Sequence, residues 1–139
     1  MLTGINPILT GALLMQLDAM GHSDAVVVAD AHFPARRLGR RVIELPGHLS
    51  PVVTKVLMSV LPLDDHHCLD LMASTTGKTL EIHNELIRAT GQSRSVARFI
   101  ERDEFYAASE RAYLIIRSGE MRSYGNVLLR KGLVEWDRS

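Results

Sequence analysis

Gly21-His22-Ser23-Asp24-Ala25-Val26-Val27-Val28-Ala29-Asp30-Ala31-His32-Phe33-Pro34 is the stretch that decides the fold. Its middle, Ala25 to Ala29, is apolar at every position and rich in β-branched valine. That is the pattern of a strand covered on both faces, so a central, parallel strand is expected. Each end of the run carries a histidine and an acid, His22 with Asp24 and Asp30 with His32.

Outward from this strand the pattern alternates. Upstream, Asn6-Pro7 reads as an N-cap with proline at the first helical position, and Leu9, Leu13, Leu17 and Met20 follow at helical spacing until Gly21. Downstream, a short strand is expected over Arg41–Leu45 and a helix from Ser50-Pro51 to about Val60, ended by Pro62. Cys68–Ala73 reads as a strand, Thr79–Ala89 as a helix closed by Gly91, and Val96–Glu101 as a weaker strand. Asp103 is placed as the cap of a helix to Ala112, with strands at Tyr113–Arg117 and Val127–Leu129. Such alternation predicts an α/β layered fold with a largely parallel sheet. No repeat, linker or low-complexity segment interrupts it, so residues 1–139 read as a single domain.

Composition narrows the function. The chain has 139 residues, 46% of them hydrophobic and 23% charged, enough apolar content for a packed core. Sixteen basic residues balance sixteen acidic ones, which argues against a nucleic-acid binder. Zero net charge is compatible with self-association. The one cysteine, Cys68, excludes an intrachain disulfide and fits a reducing cytoplasm. It lies in an apolar-leaning run and reads as a buried, inert thiol. No basic n-region with an apolar h-region opens at Met1, and no apolar run approaches the roughly 20 residues that cross a bilayer, so no membrane partner is expected.

The candidate chemistry sits at the strand ends. Open α/β sheets bind ligands beyond the carboxyl ends of their strands, where Asp30 and His32 fall. His22 precedes the same strand, and about five extended residues span roughly 17 Å. His22 and Asp30 therefore meet only if the Gly21 loop doubles back or a neighbouring subunit completes the site. Histidine suits proton transfer near neutrality, and a carboxylate can orient it or hold a hydroxyl. Locally, His22 also reads as a helix-terminus residue and Asp30 as the cap of a turn. Tyr124 and Asn126 share one side if the chain there is extended, a phenol and a carboxamide suited to hydroxyl recognition; a turn through Gly125 is the other reading. Arg102 beside Asp103 reads as a surface charge at a helix start.

Other chemistries lack their signatures. His22, Asp30, His32 and His48 do not form a paired helical ligand spacing, and Asp64-Asp65-His66-His67 reads as a solvated loop, so no metal is expected. Gly-rich phosphate loops and the G-x-S-x-G elbow are also missing, and no cofactor is expected.

Several motifs, taken in order, resemble the ribose pyranase/fucose mutarotase family. They are Gly21-His22-Ser23-Asp24, Asp30-Ala31-His32-Phe33-Pro34, the Arg102–Arg111 segment, Arg117-Ser118-Gly119-Glu120, Tyr124-Gly125-Asn126 and Leu128-Leu129-Arg130-Lys131-Gly132. The resemblance covers nearly the whole chain, with a looser middle from Leu63 to Arg94. It implies a Rossmann-like subunit in a ring-shaped homo-oligomer, commonly a decamer, with sites between subunits. It further implies anomer or ring-form interconversion of a free monosaccharide without cofactor or metal. His22 would be the proton donor, Tyr124 or a water would assist, and Asp30, Arg102, Tyr124 and Asn126 would bind the sugar. Arg102, Phe105-Tyr106 and Tyr-Gly-Asn are similar to the fucose branch, where the ribose branch has a histidine and Tyr-Ala-Asn. Ser23 departs from the usual glycine. His32 is expected to be structural or supporting.

Overall fold

The computed structural model describes residues 1–137. One six-stranded sheet carries the fold, formed by β1 (Ala25–Ala29), β2 (Val42–Leu45), β3 (Leu69–Met72), β4 (Ala97–Ile100), β5 (Leu114–Ser118) and β6 (Val127–Arg130). Their order is β2-β5-β1-β6-β3-β4. β1 and β2 pair parallel with β5, and β3 pairs parallel with β4. Only β6 runs the other way, antiparallel to both β1 and β3. The expected α/β layering with a largely parallel sheet is therefore found.

The valine run explains the two cores. Side chains alternate across a strand, so Val26 and Val28 enter one apolar cluster while Val27 and Ala29 enter the other. The first cluster packs Leu13 and Leu17 of α1 (Gly11–Ala19), Val53 and Leu57 of α3 (Ser50–Leu57), and Ile82 and Leu86 of α4 (Glu81–Thr90) against the sheet. The second packs Ala35 and Leu38 of α2 (Ala35–Leu38) and Phe105 and Ala108 of α5 (Arg102–Arg111). A helix face on each side of the sheet is what a strand apolar at every position requires.

Several boundaries differ from the sequence reading. The first helix starts at Gly11, because the Thr10 side chain caps it by accepting from Leu13 N. Asn6 instead accepts from Ile8 N in a tight turn ahead of the helix. α3 stops at Leu57, short of Val60, and its N-cap is Leu49, with Ser50 inside and its hydroxyl not capping. Glu101, not Asp103, stands at the N-cap of α5. α4 ends where expected, with Gly91 in the left-handed region at φ 70°. The short α2 between Pro34 and Gly39 has no counterpart in the sequence reading, since four residues are too few for a helical period.

Topology fixes where the polar groups lie. The carboxyl ends of β1, β3, β4 and β5 share one edge with the amino end of antiparallel β6. The register Val28 opposite Val127 brings Asn126 beside Asp30 at that edge. At the opposite edge, Ala25 faces Arg130 and Leu63 bridges to Lys131, gathering the Gly21–Asp24 loop with Asp64.

Candidate functional site

Asp30 sits at the carboxyl end of β1 and is 5% exposed. Its main-chain N–H donates to Asn126 Oδ1 at 2.7 Å, and Asn126 Nδ2 donates back to Asp30 Oδ2 at 3.0 Å. This reciprocal pair fixes the amide's orientation, since the N–H requires an acceptor and the carboxylate a donor. Asp30 Oδ1 accepts from His32 N at 2.9 Å. Burial pushes the Asp30 carboxyl above its ordinary range, opposed by the bonds from Asn126 and His32. Held this way, one face of the carboxyl is left to a cavity.

That cavity has a volume of about 190 Å³. Asp30, His32, Arg102, Tyr106, Tyr124 and Asn126 give it its polar lining, with Phe33 and Met72 as apolar walls. A second hollow of about 200 Å³ lies on the other side of Arg102 and Tyr124, reaching Ala73, Thr75 and Glu101. Arg102 opens α5 with its side chain 67% exposed and its Nε 3.8 Å from Asp103, and it lines both hollows. Four of the five sequence candidates, Asp30, Arg102, Tyr124 and Asn126, are thus brought together.

Of the two readings of Tyr124-Gly125-Asn126, the turn is observed. Tyr124 adopts φ 65°, a left-handed conformation unusual for a tyrosine. Its hydroxyl accepts from Thr75 N at 3.3 Å, and its ring lies 6.4 Å from that of His83. Glu120, 2% exposed, secures the turn's approach. Its carboxylate accepts from Arg122 N, Nε and Nη2, while Arg122 also pairs with Glu85 of α4. Glu120 O accepts from Ala31 N at 2.8 Å, tying this loop to the end of β1. Gly119 permits a close passage, because a Cβ there would lie 2.0 Å from Pro46 O.

His22 is not in this cavity. It lies beyond the amino end of β1 with its side chain 52% exposed, Nε2 3.4 Å from Asp64 Oδ2. It lines a separate hollow of about 340 Å³ with Leu63, Asp64, Asp65, His66, Leu133 and Glu135. The Gly21 loop does not double back: Ser23 N donates to Lys131 O and Lys131 N to Asp24 O, which pins it at that edge. Within one chain, the length of β1 separates the two groups.

Tyr106 and Met72 line the Asp30 cavity without having been singled out as site residues. Tyr106 lies one turn after Arg102 on α5, a spacing that places both on one helix face and was available in the sequence. Phe33 stacks edge-on against Tyr106 at 5.3 Å and Phe105 at 6.0 Å, anchoring the turn after Asp30. His32 is exposed and lines the cavity, while the His48 side chain is exposed elsewhere. Among the described residues, no group of three or more His, Cys, Asp or Glu is placed to hold a metal, and no helix is long and apolar enough to cross a membrane.

Known proteins share this fold. The family described as "RbsD / FucU transport protein family" matches residues 3–134. An L-fucose mutarotase of Haemophilus influenzae is 33% identical over 141 residues, covering 96% of this chain and 97% of its own. The crystal structure of the fucose mutarotase from Streptococcus pneumoniae in complex with L-fucose superposes with a TM-score of 0.89 at 28% identity, covering 96% of this chain and 100% of its own. The Bacillus subtilis RbsD complexed with D-ribose gives a TM-score of 0.79 at 22% identity over 97% of this chain and 100% of its own, a likeness of fold.

Proposed function

Because this chain belongs to the RbsD / FucU transport protein family, we propose that it is a sugar isomerase that interconverts the α and β anomers of a free monosaccharide, with L-fucose or a sugar of like configuration as substrate. The observation that carries this reading is the Asp30–Asn126 clamp beneath Arg102 and Tyr124, a small polar cavity walled by Phe33 and Met72. At about 190 Å³ it is smaller than the ~300 Å³ lower end of drug-sized ligand sites, which suits one sugar ring. The likeness to L-fucose mutarotases supports the substrate.

Each residue has a task set by its chemistry. Asp30 accepts from sugar hydroxyls through its cavity-facing carboxyl, and Asn126 keeps that carboxyl aimed. Arg102 donates from the rim in a fork suited to vicinal hydroxyls. Tyr124 offers a phenol that donates or accepts at the anomeric hydroxyl. Anomer exchange opens the hemiacetal and closes it on the other face: a proton arrives at the ring oxygen and one leaves the anomeric hydroxyl. His22 supplies the first proton; Tyr124 or a bound water takes the second. A positioned acid or base contributes roughly 10²–10⁴-fold, a useful gain on a reaction that also runs unaided.

His22 reaches the sugar from a second copy of the chain, since within one chain it lies at the far end of β1. The working unit is accordingly a closed homo-oligomer, ring-shaped and decameric as the sequence resemblance implies, whose heterologous contacts bring the two sheet edges together. Its compartment is the cytoplasm, in keeping with one buried thiol and no disulfide. The test is magnetisation-transfer NMR between the α and β signals of fucose, ribose and galactose with purified protein. Accelerated exchange of fucose is expected. Saturable binding without acceleration would make the chain a sugar-binding protein instead, and faster ring-form exchange of ribose alone would move it to the other branch.

A further inference from the structure

Next to the Asp30 cavity lies a buried carboxylate that the sugar chemistry does not use. The Glu120 side chain takes four donors: Arg122 N at 3.2 Å, Arg122 Nε at 2.9 Å, Arg122 Nη2 at 3.1 Å, and the Ser50 N–H at the start of α3. Burial disfavours its charged form, but the bonds from Arg122 and Ser50 outweigh it and hold the carboxyl below its usual range. The Arg122 guanidinium reaches on to Glu85, so the loop before Tyr124 is tied to both α3 and α4. The main chain of Glu120 is tied to β1. Its carbonyl accepts from Ala31 N at 2.8 Å, and its N–H donates at 3.2 Å to Ser118 Oγ, which donates in turn to Ala29 O at 2.7 Å. Asp30 is thereby flanked on both sides by bonds that lead to Glu120. The turn that follows rests on the same side chain. A Cβ on Gly125 would lie 2.8 Å from Glu120 Cγ and 3.1 Å from Ser50 Oγ, so the chain after Tyr124 passes against both. Tyr124 holds φ 65°, a state that a non-glycine residue keeps only where its surroundings over-determine it. The bond from Thr75 N to the phenol, at 3.3 Å, is longer than a usual N–H···O bond and holds it weakly.

We infer that Glu120 is a positioning residue for the reaction: through Arg122 and the Gly125 backbone it keeps Tyr124 in its left-handed turn, with the phenol lining the Asp30 cavity. The inference rests on the reading of Tyr124 as the group that works at the anomeric hydroxyl. The residue type follows from counting. A carboxylate is acceptor-only, with about four lone-pair sites for its four donors. A glutamine in its place offers one oxygen and turns an NH2 toward the guanidinium, leaving N–H groups of Arg122 or Ser50 without acceptors. Arg122 would then hold the turn less firmly, and the phenol would drift. A misplacement of about 1 Å can cost on the order of 10²-fold in rate. Binding is expected to suffer less, because the Asp30–Asn126 clamp is made by those two residues alone. Glu85 is the outer end of the same link, its side chain 30% exposed, and it steadies Arg122 from the α4 side.

The test is a double-mutant cycle on L-fucose anomer exchange, read by magnetisation transfer at saturating sugar, with affinity by calorimetry and folding by thermal melts. Glu120→Gln is expected to slow exchange about tenfold, with affinity changed less than about threefold. Glu85→Gln, which loosens only the outer end, should slow it about threefold and carries the comparison if Glu120→Gln does not fold. Tyr124→Phe removes the phenol oxygen alone. Placed on Tyr124→Phe, neither carboxyl variant should slow exchange further, since both act through the missing oxygen. A Glu120 that served the fold alone would instead slow Tyr124→Phe by the same factor as it slows wild type. Equal slowing in both backgrounds, or wild-type exchange in every folded carboxyl variant, overturns the inference and leaves the reading of Tyr124 standing. Wild-type exchange in Tyr124→Phe overturns that reading, and the inference with it.

Discussion

Removing the amide of Asn126 should unsettle the site before it touches any sugar. Asn126 is 2% exposed, and Asn126→Ala deletes the acceptor of Asp30 N–H at 2.7 Å and the donor to Asp30 Oδ2 at 3.0 Å. A buried N–H without a partner costs about 1–3 kcal/mol, and a hydrogen bond to a charged group is worth about 1.5–3 kcal/mol. Water from the cavity can replace part of the second bond, so a net loss of about 3 kcal/mol is expected. With an unfolding entropy of about 2.1 cal/mol/K per residue over 139 residues, that lowers Tm by about 10 °C. Asn126→Asp is the sharper variant. It keeps the acceptor for Asp30 N–H but faces a carboxylate oxygen 3.0 Å away with another, and the two cannot both ionise. Burial already raises the Asp30 carboxyl, and this pairing raises it further. A carboxyl whose folded pKa lies above its unfolded value binds a proton on folding. Stability is then fullest below the unfolded value, about 3.9, and falls as pH rises through the folded one. Thermal melts by circular dichroism should find Asn126→Asp weaker than Asn126→Ala at pH 7.5, with the gap closing toward pH 5. A loss below about 1 kcal/mol for Asn126→Ala, or an Asn126→Asp melt with wild-type pH dependence, would refute the clamp.

His83 is fully buried, its Nδ1 accepting from Leu80 N at 2.9 Å and its Nε2 donating to Met72 O at 2.8 Å, and burial pushes its pKa down. The unfolded chain takes up a proton there below about pH 6.5 and the folded chain does not, so stability is fully present above that pH and lost below it, by up to about 1.4 kcal/mol per pH unit. Urea titrations at pH 7.5 and 5.5 should find this loss in wild type and not in His83→Gln; equal losses in both would contradict it. Gly119→Ala should yield little folded protein, because the added Cβ would lie 2.0 Å from Pro46 O, and a variant with wild-type Tm would mean that this approach is not kept in solution.

The sequence revealed β1 because five consecutive apolar residues leave a strand no solvent face, and α/β layering followed from it. It was silent on the reversed direction of β6, since Val127-Leu128-Leu129 reads the same whichever way it runs. The start of α1 was misplaced because Asn6-Pro7 carries the cap signal while Thr10 performs the capping. Asp30 and Asn126 could be named as candidates, but their mutual clamp spans 96 residues and depends on register alone. The turn at Tyr124-Gly125-Asn126 is one of two local readings, but its left-handed residue is Tyr124 rather than Gly125, against the ordinary preference of a tyrosine. Asp64 looked solvated because its partners, His22 and Ser23, lie some forty residues upstream. Most of what stayed hidden at the two strand ends is long-range: contacts made by topology rather than by neighbours in sequence.

The central claim is that one sugar site takes His22 from one copy and Asp30, Arg102, Tyr124 and Asn126 from another. It is tested most directly by mixing two inactive variants, His22→Ala and Asp30→Ala, through co-expression, and measuring L-fucose anomer exchange per chain. Each pure variant should be inactive. In mixed assemblies, about one site in four joins an intact His22 to an intact Asp30, so exchange near a quarter of wild type is expected. Mixed assemblies that form but remain as inactive as either variant alone would contradict the claim.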